Sequence, residues 1–160
     1  MASNGERLHI SRTAWIGVAF LLALAIGIGG VLASNRGAEV HRVVFQINED
    51  DPAAMKHAVS NSMNLTRYYR EKKEDIKVEI VGYGPGIDMF RTDKSPVKEV
   101  LEFMHIHFPE ISFAVCGNTK AIMEKQEGHP LSFIEGTRVV PFGIVEIVRL
   151  QEVGWSYIRP

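Results

Sequence analysis

Short apolar segments alternate with amphipathic segments from residue 41 onward, and this order limits the fold more than any other feature of the sequence. The apolar segments are rich in β-branched and aromatic residues, which is typical of buried strands. The segments between them repeat apolar residues at spacings of three and four, which is typical of helices that pack on a sheet. The sequence therefore predicts a small doubly wound α/β domain, in which helices cover both faces of a mainly parallel, five-stranded sheet.

The individual elements follow from local signals. The predicted strands are residues 41–47, 76–81, 111–115, 139–140 and 155–158, and the predicted helices are residues 52–72, 96–108, 120–125 and 143–153. Asp51 and Pro52 are a typical cap and first residue of a helix, and Ser95 and Pro96 repeat that pattern. Three glycines between residues 82 and 86 predict a turn at the end of the second strand.

The composition excludes several classes of protein. The chain has 160 residues, of which 46% are hydrophobic, and its 18 basic and 19 acidic residues leave a net charge of −1. This composition excludes a disordered chain, and it offers no basic surface, so we expect no nucleic-acid partner. The single cysteine cannot form an intramolecular disulfide, so the fold must be stabilised by its core.

An apolar segment precedes the predicted domain. Residues 14–33 carry no charge, and as a helix these 20 residues would span about 30 Å, enough to cross a bilayer. They follow a basic n-region, residues 1–13, and a polar linker, residues 34–40, joins them to the domain at residues 41–160. Their length favours a retained transmembrane anchor, whereas the small residues at 31–33 favour a cleaved signal peptide. In both cases the basic flank places the domain outside the cytoplasm.

Cys116 is the main candidate for chemistry. In open α/β sheets ligands bind beyond the carboxyl ends of the strands, and Cys116 stands between a predicted strand and a predicted helix start. Backbone N–H groups and the helix dipole at such a position favour a thiolate, to which Lys120 would add positive charge. Gly117 would leave room for an approaching sulfur atom. The alternative is an ordinary buried cysteine that acts as a small apolar residue.

Other candidate sites are weaker. The segment Gly84, Pro85 and Gly86 could bind an anion through its backbone, but it matches no phosphate-binding pattern, so a structural turn is the better interpretation. His105 and His107 would point to different sides of one helix and are better read as solvent-facing. We expect neither a metal ion nor another cofactor.

Several segments carry a family resemblance: VVFQINEDDPAAM, VGYGPGIDMF, FAVCGNT and VVPFGIVEIVRLQEVGWSYI, followed by Arg159 and Pro160. In this order, across residues 41–160, they resemble the DsrE/DsrF-like proteins, particularly the small stand-alone DsrE-like domains. The resemblance implies a three-layer α/β/α fold and a homo-oligomer, commonly a trimer or hexamer. It also implies that Cys116 carries sulfur as a persulfide, as a matching cysteine does in the sulfur-relay members.

The same resemblance implies a ligand pocket around the cysteine. The residues that match recurring motif positions are Gly84, Pro85, Gly86, Asn118, Thr119, Pro141 and Gly143. Together with Gly117 and Lys120 they complete the predicted site.

Two functions from different classes remain open. The first is a persulfide or thiol carrier in sulfur metabolism, similar to a sulfurtransferase, which needs a sulfur donor and an acceptor protein but no cofactor. The second is a non-catalytic module of the cell envelope that binds a small ligand or a protein. In either case the predicted location is the bacterial inner membrane with the domain facing the periplasm, or the periplasm itself if the leader is cleaved.

Overall fold

The computed structural model describes residues 40–160, which hold the whole of the predicted α/β domain. The n-region 1–13, the predicted anchor or signal peptide 14–33 and most of the linker 34–40 lie outside the described residues, so those predictions stay predictions. Within residues 40–160, every helix is too short or too polar to span a bilayer.

The described sheet has five strands, and every pairing between neighbours is parallel. Its order is β4-β3-β2-β1-β5. The strands are β1 (His41–Ile47), β2 (Ile76–Gly82), β3 (Ile111–Cys116), β4 (Thr137–Val140) and β5 (Ser156–Ile158). The predicted fold class, a parallel five-stranded α/β sheet with helices on both faces, is confirmed.

The helices form two unequal layers on this sheet. They are α1 (Pro52–Lys72), α2 (Lys98–His107), α3 (Gly117–Glu127) and α4 (Gly143–Glu152), with a 3₁₀ helix at Gly84–Phe90. The core of the first face includes α1, α2 and the 3₁₀ helix, and Met123 of α3 packs at its edge. On the second face α4 is the helix that contributes to the core of the described domain. It links β4 to β5, which lie at opposite edges of the sheet, and therefore crosses that face.

Strand residues alternate between two cores. Phe45, Ile80 and Phe113 point to the first face, where they pack with helical residues such as Met55 and Leu101. Val44, Val81 and Ala114 point to the second face, where Ile147 and Leu150 of α4 cover them. Because both faces of the central strands are buried, these strands read in the sequence as nearly continuous apolar runs.

Local capping chemistry decides where α1 begins, as the sequence predicts. The Asp51 carboxylate accepts a hydrogen bond from Ala53 N at 2.8 Å, and Pro52 occupies the first helical position. The last helical residue is Lys72, and the residue that caps the helix, Lys73, has a φ of 57° in the left-handed region. The predicted boundaries 52–72 are confirmed.

The predicted start of α2 at residue 96 is wrong, because the Ser95 side chain has other partners. Its hydroxyl donates to the Met89 carbonyl and accepts from Val97 N. Residues 95–97 therefore form a turn, and the first helical hydrogen bond runs from Leu101 N to the Val97 carbonyl at 3.0 Å. The helix itself begins at Lys98.

Other boundaries also differ from the sequence prediction, and β4 begins at Thr137 instead of residue 139. The turn predicted after β2 continues into the 3₁₀ helix, which is buried from Gly86 to Phe90. The third helix begins at Gly117 rather than at residue 120, because the Cys116 side chain caps it. In the last segment the Trp155 N–H donates to the Leu150 carbonyl at the end of α4, and β5 therefore begins one residue later than predicted.

The buried side chain of Arg91, directly after the 3₁₀ helix, forms ion pairs that connect this helix to α3. Arg91 is fully buried, and its guanidinium donates to both carboxylate oxygens of Glu127, at 2.6 and 2.8 Å, and to both of Asp93, at 3.0 and 2.7 Å. Its backbone forms a bridge with Phe133 in the loop after α3. Hydrogen bonds from Arg91, and then from Lys94, lower the pKa of Glu127 from about 4.5 to about 2.

Replacing Arg91 with Met is expected to lower the free energy of unfolding by about 2 kcal/mol or more, because the carboxylates of Glu127 and Asp93 lose charged hydrogen-bond donors. Arg70→Met is the matched control. Arg70 also holds both oxygens of a carboxylate, that of Glu110, but its side chain is 41% exposed, so its loss should cost less than about 1 kcal/mol. Urea denaturation of the full-length chain at neutral pH measures both losses, and equal losses would contradict the role given to Arg91.

The loss of stability caused by Arg91→Met also depends on pH, and the pKa of Glu127 gives the direction of that dependence. The pKa of Glu127 is lower in the folded chain than in the unfolded chain, so its stabilisation is fully present above about pH 4.5 and is lost as the pH falls toward 2. The stability difference between the wild type and Arg91→Met should therefore shrink over that range.

Candidate functional site

Cys116 is the last residue of β3 and the capping residue of α3, and it is only 6% exposed. Its Sγ accepts a hydrogen bond from Thr119 N at 3.5 Å, in the first turn of α3. Gly143, the first residue of α4, lies close to Cys116, and its backbone N–H contributes to lowering the pKa of the thiol. The thiol therefore lies at the N-termini of two helices.

The hydrogen bonds at this position favour the thiolate. Burial is the largest single influence, and it raises the pKa of Cys116. The hydrogen bonds from the Thr119 side chain and from the backbone N–H groups of Gly143, Thr119 and Asn118 together outweigh burial, so the pKa of the thiol is lowered. Donors that point at a sulfur stabilise its negative charge, as helix N-termini do for other anions. The predicted environment for a reactive thiolate is present.

Two glycines allow the helix starts to come this close to the thiol. A Cβ at Gly143 would lie 2.9 Å from Tyr83 Cβ and 3.2 Å from Cys116 Cβ. A Cβ at Gly117 would lie 3.1 Å from the Val140 carbonyl oxygen. Any larger residue at Gly143 would therefore push the start of α4 away from the sulfur.

The ends of β3 and β4 are joined at the site. Asn118 N donates to the Pro141 carbonyl at 3.2 Å, so the residue after β4 is held against the first turn of α3. The Asn118 and Pro141 residues themselves are exposed. The structure thus brings together four of the predicted site residues, Gly117, Asn118, Pro141 and Gly143, around Cys116.

The turn after β2 reaches the site through Thr119. Gly84 N donates to Thr119 Oγ1 at 3.1 Å, and Gly84 adopts a positive φ of 53°. A Cβ at Gly86 would overlap the Ile47 carbonyl at the end of β1, and Gly86 N donates to the Tyr83 carbonyl at 3.2 Å. Because the N–H groups of both glycines already have partners within the protein, the structural interpretation of this turn is favoured over an anion site. Pro85 is exposed to solvent.

Lys120 does not act on the thiol as the sequence suggested. Its ammonium group pairs with Glu124 Oε1 at 2.5 Å, one turn along α3, and that oxygen also accepts from Leu131 N. Lys120 is not among the main groups that set the pKa of Cys116. The i,i+4 spacing on α3 explains why this lysine finds a carboxylate instead of the sulfur.

The sequence analysis missed a polar group beside the site. The Tyr157 hydroxyl donates to Gln46 Oε1 at 2.8 Å, and burial raises the pKa of Tyr83, with a smaller contribution from Tyr157. Tyr83 Cβ is one of the two atoms that a Cβ at Gly143 would meet. The i,i+2 spacing of Trp155 and Tyr157 in the predicted last strand favours packing for both side chains. Of these two aromatic residues, only Trp155 packs against the core of the second face. The parallel pairing of β1 with β5 brings Tyr157 to Gln46 instead.

A large cavity of the described domain lies elsewhere. It measures about 750 Å³ and is lined by residues at the amino ends of the strands, among them Asp75, Lys77 and Glu79. The convergence of donors on one nucleophilic atom outweighs cavity size here, so we assign the candidate site to Cys116. Within residues 40–160 no group of three or more His, Cys, Asp or Glu side chains is placed to hold a metal ion, and His105 and His107 are exposed on α2.

Comparisons with known proteins give one informative relative. No protein-family model and no curated protein matches the chain. Among solved structures, the protein of unknown function MTH1491 from Methanobacterium thermoautotrophicum is 33% identical, with a TM-score of 0.61, and the match covers 75% of this chain and 99% of that one. The YchN protein from E. coli is 14% identical, with a TM-score of 0.49, and the same shares of the two chains are covered.

The structural match to MTH1491, a protein of the DsrE-like fold, places the parallel sheet of this chain in that fold class. The identity and coverage of the first match then decide the family: this chain belongs to the family of MTH1491. The DsrE-like fold that the family resemblance implies is thereby confirmed.

The pKa of the Cys116 thiol, read from the pH dependence of alkylation, is expected to be lower in the folded chain than in the same chain in urea. Iodoacetamide is a suitable small reagent, because only the thiolate reacts with it. Restricted access would lower the height of the pH curve without moving its midpoint. Equal midpoints in the folded and unfolded chain would contradict the role assigned to the helix starts.

Proposed function

We propose that this protein is a persulfide carrier in which Cys116 accepts a sulfur atom from a donor and passes it to an acceptor thiol. One observation supports the proposal most: the only cysteine of the chain caps α3, where the Thr119 N–H donates to its sulfur, and it lies against Gly143 at the start of α4. A carrier of this kind needs a thiolate that is stable enough to form at neutral pH and still able to leave.

In the first step the Cys116 thiolate attacks the outer sulfur of a donor persulfide. A bond forms between Sγ and that sulfur, and the S–S bond of the donor breaks. The donor leaves as a thiolate and takes up the proton released from the outer sulfur, directly or through solvent. No electrons are gained or lost overall, so this step needs no separate oxidant.

In the second step an acceptor thiolate attacks the outer sulfur of the Cys116 persulfide. A new S–S bond forms on the acceptor, and Cys116 leaves as a thiolate. The N–H groups of Thr119 and Gly143 that stabilise the nucleophile in the first step stabilise the leaving group in the second. The same site can therefore assist both directions of transfer.

The carrier is also proposed to work as a homo-oligomer and outside the cytoplasm. The outer surface of α4 and the segment before it expose the large apolar side chains of Val139, Phe142, Ile144, Val145 and Val148. A contiguous apolar surface of this kind is typical of an interface. The placement rests on the predicted segment 14–33, and it would require a sulfur donor and an acceptor in the cell envelope.

The fragment 38–160 is expected to self-associate at tens of micromolar, an order-of-magnitude working range for interfaces of standard size. It contains both cores and the complete sheet. The double variant Val145→Glu, Val148→Glu should weaken association, because it places charges on the apolar surface of α4. Ile106→Glu, at an exposed position on α2, is the control that should leave it unchanged. Sedimentation velocity measures all three, and a folded wild-type fragment that is strictly monomeric would contradict this proposal.

The carrier function predicts that the full-length chain takes up one sulfur atom from a small alkyl persulfide. Intact mass should increase by one sulfur, a reductant should remove it, and Cys116→Ser should show no increase. Addition of a small acceptor thiol should return the protein to its original mass. Failure of the wild type to take up sulfur, while it stays folded, would contradict the function and leave Cys116 as part of a binding module.

A further inference from the structure

The helix α4 covers only part of the second face of the sheet. The core beneath this helix contains Val81 and Ala114, near the carboxyl ends of β2 and β3. Two residues earlier on the same strands, Glu79 and Ser112 point to the same face, because side chains alternate along a strand. Both residues line the cavity of about 750 Å³ at the amino ends of the strands, and this volume is typical of sites for small organic ligands.

Glu79 brings a buried negative charge to this cavity. The residue is 4% exposed, and its Oε1 accepts a hydrogen bond from Arg138 Nη2 at 2.6 Å. Among the described residues no hydrogen-bond donor is placed on its Oε2. Burial raises the pKa of Glu79 despite the presence of Arg138, whose own side chain is about half exposed. The domain therefore compensates this carboxylate only in part.

Ser112 adds a second acceptor beside the carboxylate. The parallel pairing of β2 with β3 makes Glu79 and Ser112 direct neighbours. The Ser112 hydroxyl donates its one hydrogen to the Val78 carbonyl at 3.2 Å, so toward a ligand its oxygen can only accept. Trp155, which packs against the core of the second face, lines the same cavity. A ligand that fits must therefore donate hydrogen bonds and carry an apolar portion.

The basic side chains around the cavity do not neutralise Glu79. Arg70 donates to both carboxylate oxygens of Glu110. Lys73 and Lys77 are exposed, and within residues 40–160 neither forms an ion pair with Glu79. The buried carboxylate thus remains able to pair with a cation that enters from solvent.

We propose that this cavity binds a small organic cation, at a second site separate from Cys116. An ammonium or guanidinium group of the ligand donates to Glu79 and Ser112, while its apolar body packs on Trp155. The face of an indole attracts cations as well as apolar groups, so Trp155 suits both parts of such a ligand. The site does not depend on the proposed sulfur transfer, because Cys116 lies at the opposite, carboxyl end of β3.

The test uses three probes of similar shape and different charge: phenethylamine, which is a cation at neutral pH, phenethyl alcohol and phenylacetate. Each probe is titrated into the full-length chain, and the backbone and indole N–H resonances are followed by NMR. The amine should bind with a Kd of about 1 mM, and the neutral and anionic probes should bind at least about tenfold more weakly. The indole resonance of Trp155, assigned with Trp155→Phe, should shift as the amine binds.

Two variants test the acceptors, and a third is the control. Glu79→Gln removes the negative charge and should weaken binding of phenethylamine about tenfold, as expected when a hydrogen bond to a charged group is lost. Ser112→Ala leaves the charge in place and should weaken binding about fivefold. Glu146→Gln is the matched control and should leave the affinity unchanged, because Glu146 also pairs with Arg138 but does not line the cavity.

The inference is overturned if the wild type does not bind the amine, or binds all three probes equally well. It is also overturned if a folded Glu79→Gln variant keeps the wild-type affinity, or if Glu146→Gln loses as much affinity as Glu79→Gln. Should Glu79→Gln fail to fold, Ser112→Ala decides, and a wild-type affinity in that variant contradicts the proposed site.

Discussion

All the strand pairings of the described sheet are parallel, and this constraint decides where chemistry can occur in the domain. Each parallel pair needs a crossover connection, so a helix or a turn must start soon after the carboxyl end of each strand. The start of a helix leaves backbone N–H groups without partners inside the helix. Cys116 receives such a group from α3, which continues its own strand, and it lies close to the start of α4, which follows the neighbouring β4. The site is thus a consequence of strand direction and needs no dedicated sequence motif.

Much of this could be predicted from the sequence, because strong local signals agree with the final packing. Asp51 and Pro52 start α1 in the structure because their capping chemistry acts within four residues. Cys116 could be predicted as the candidate residue for a similar reason, because the local sequence alone places it between the end of a strand and the start of a helix.

The errors come from side chains that find other partners, some nearby in the chain and one across the fold. Ser95 looks like a helix cap, but its hydroxyl donates to the Met89 carbonyl six residues earlier. Lys120 looked like a charge partner for the thiol, but Glu124 lies one helical turn away and pairs with it. Tyr157 reaches Gln46 only because the last strand pairs with the first. The i,i+4 spacing of Lys120 and Glu124 could have predicted their pairing, whereas neither propensity nor spacing predicts the contact of Tyr157 with Gln46.

Gly86 and Gly143 should respond differently to sequence divergence. Gly86 lies against the main chain at Ile47, which is present whatever side chains surround it, so the need for glycine comes from the fold itself. Gly143 lies against the Cβ atoms of Tyr83 and Cys116, so an alanine there requires a small shift of the start of α4 but leaves the sheet unchanged. In a relative that has lost the cysteine that shift has no effect on reactivity, whereas Gly86 stays. Invariance of Gly86 would therefore report on the architecture of the fold, and invariance of Gly143 on the chemistry of the thiol.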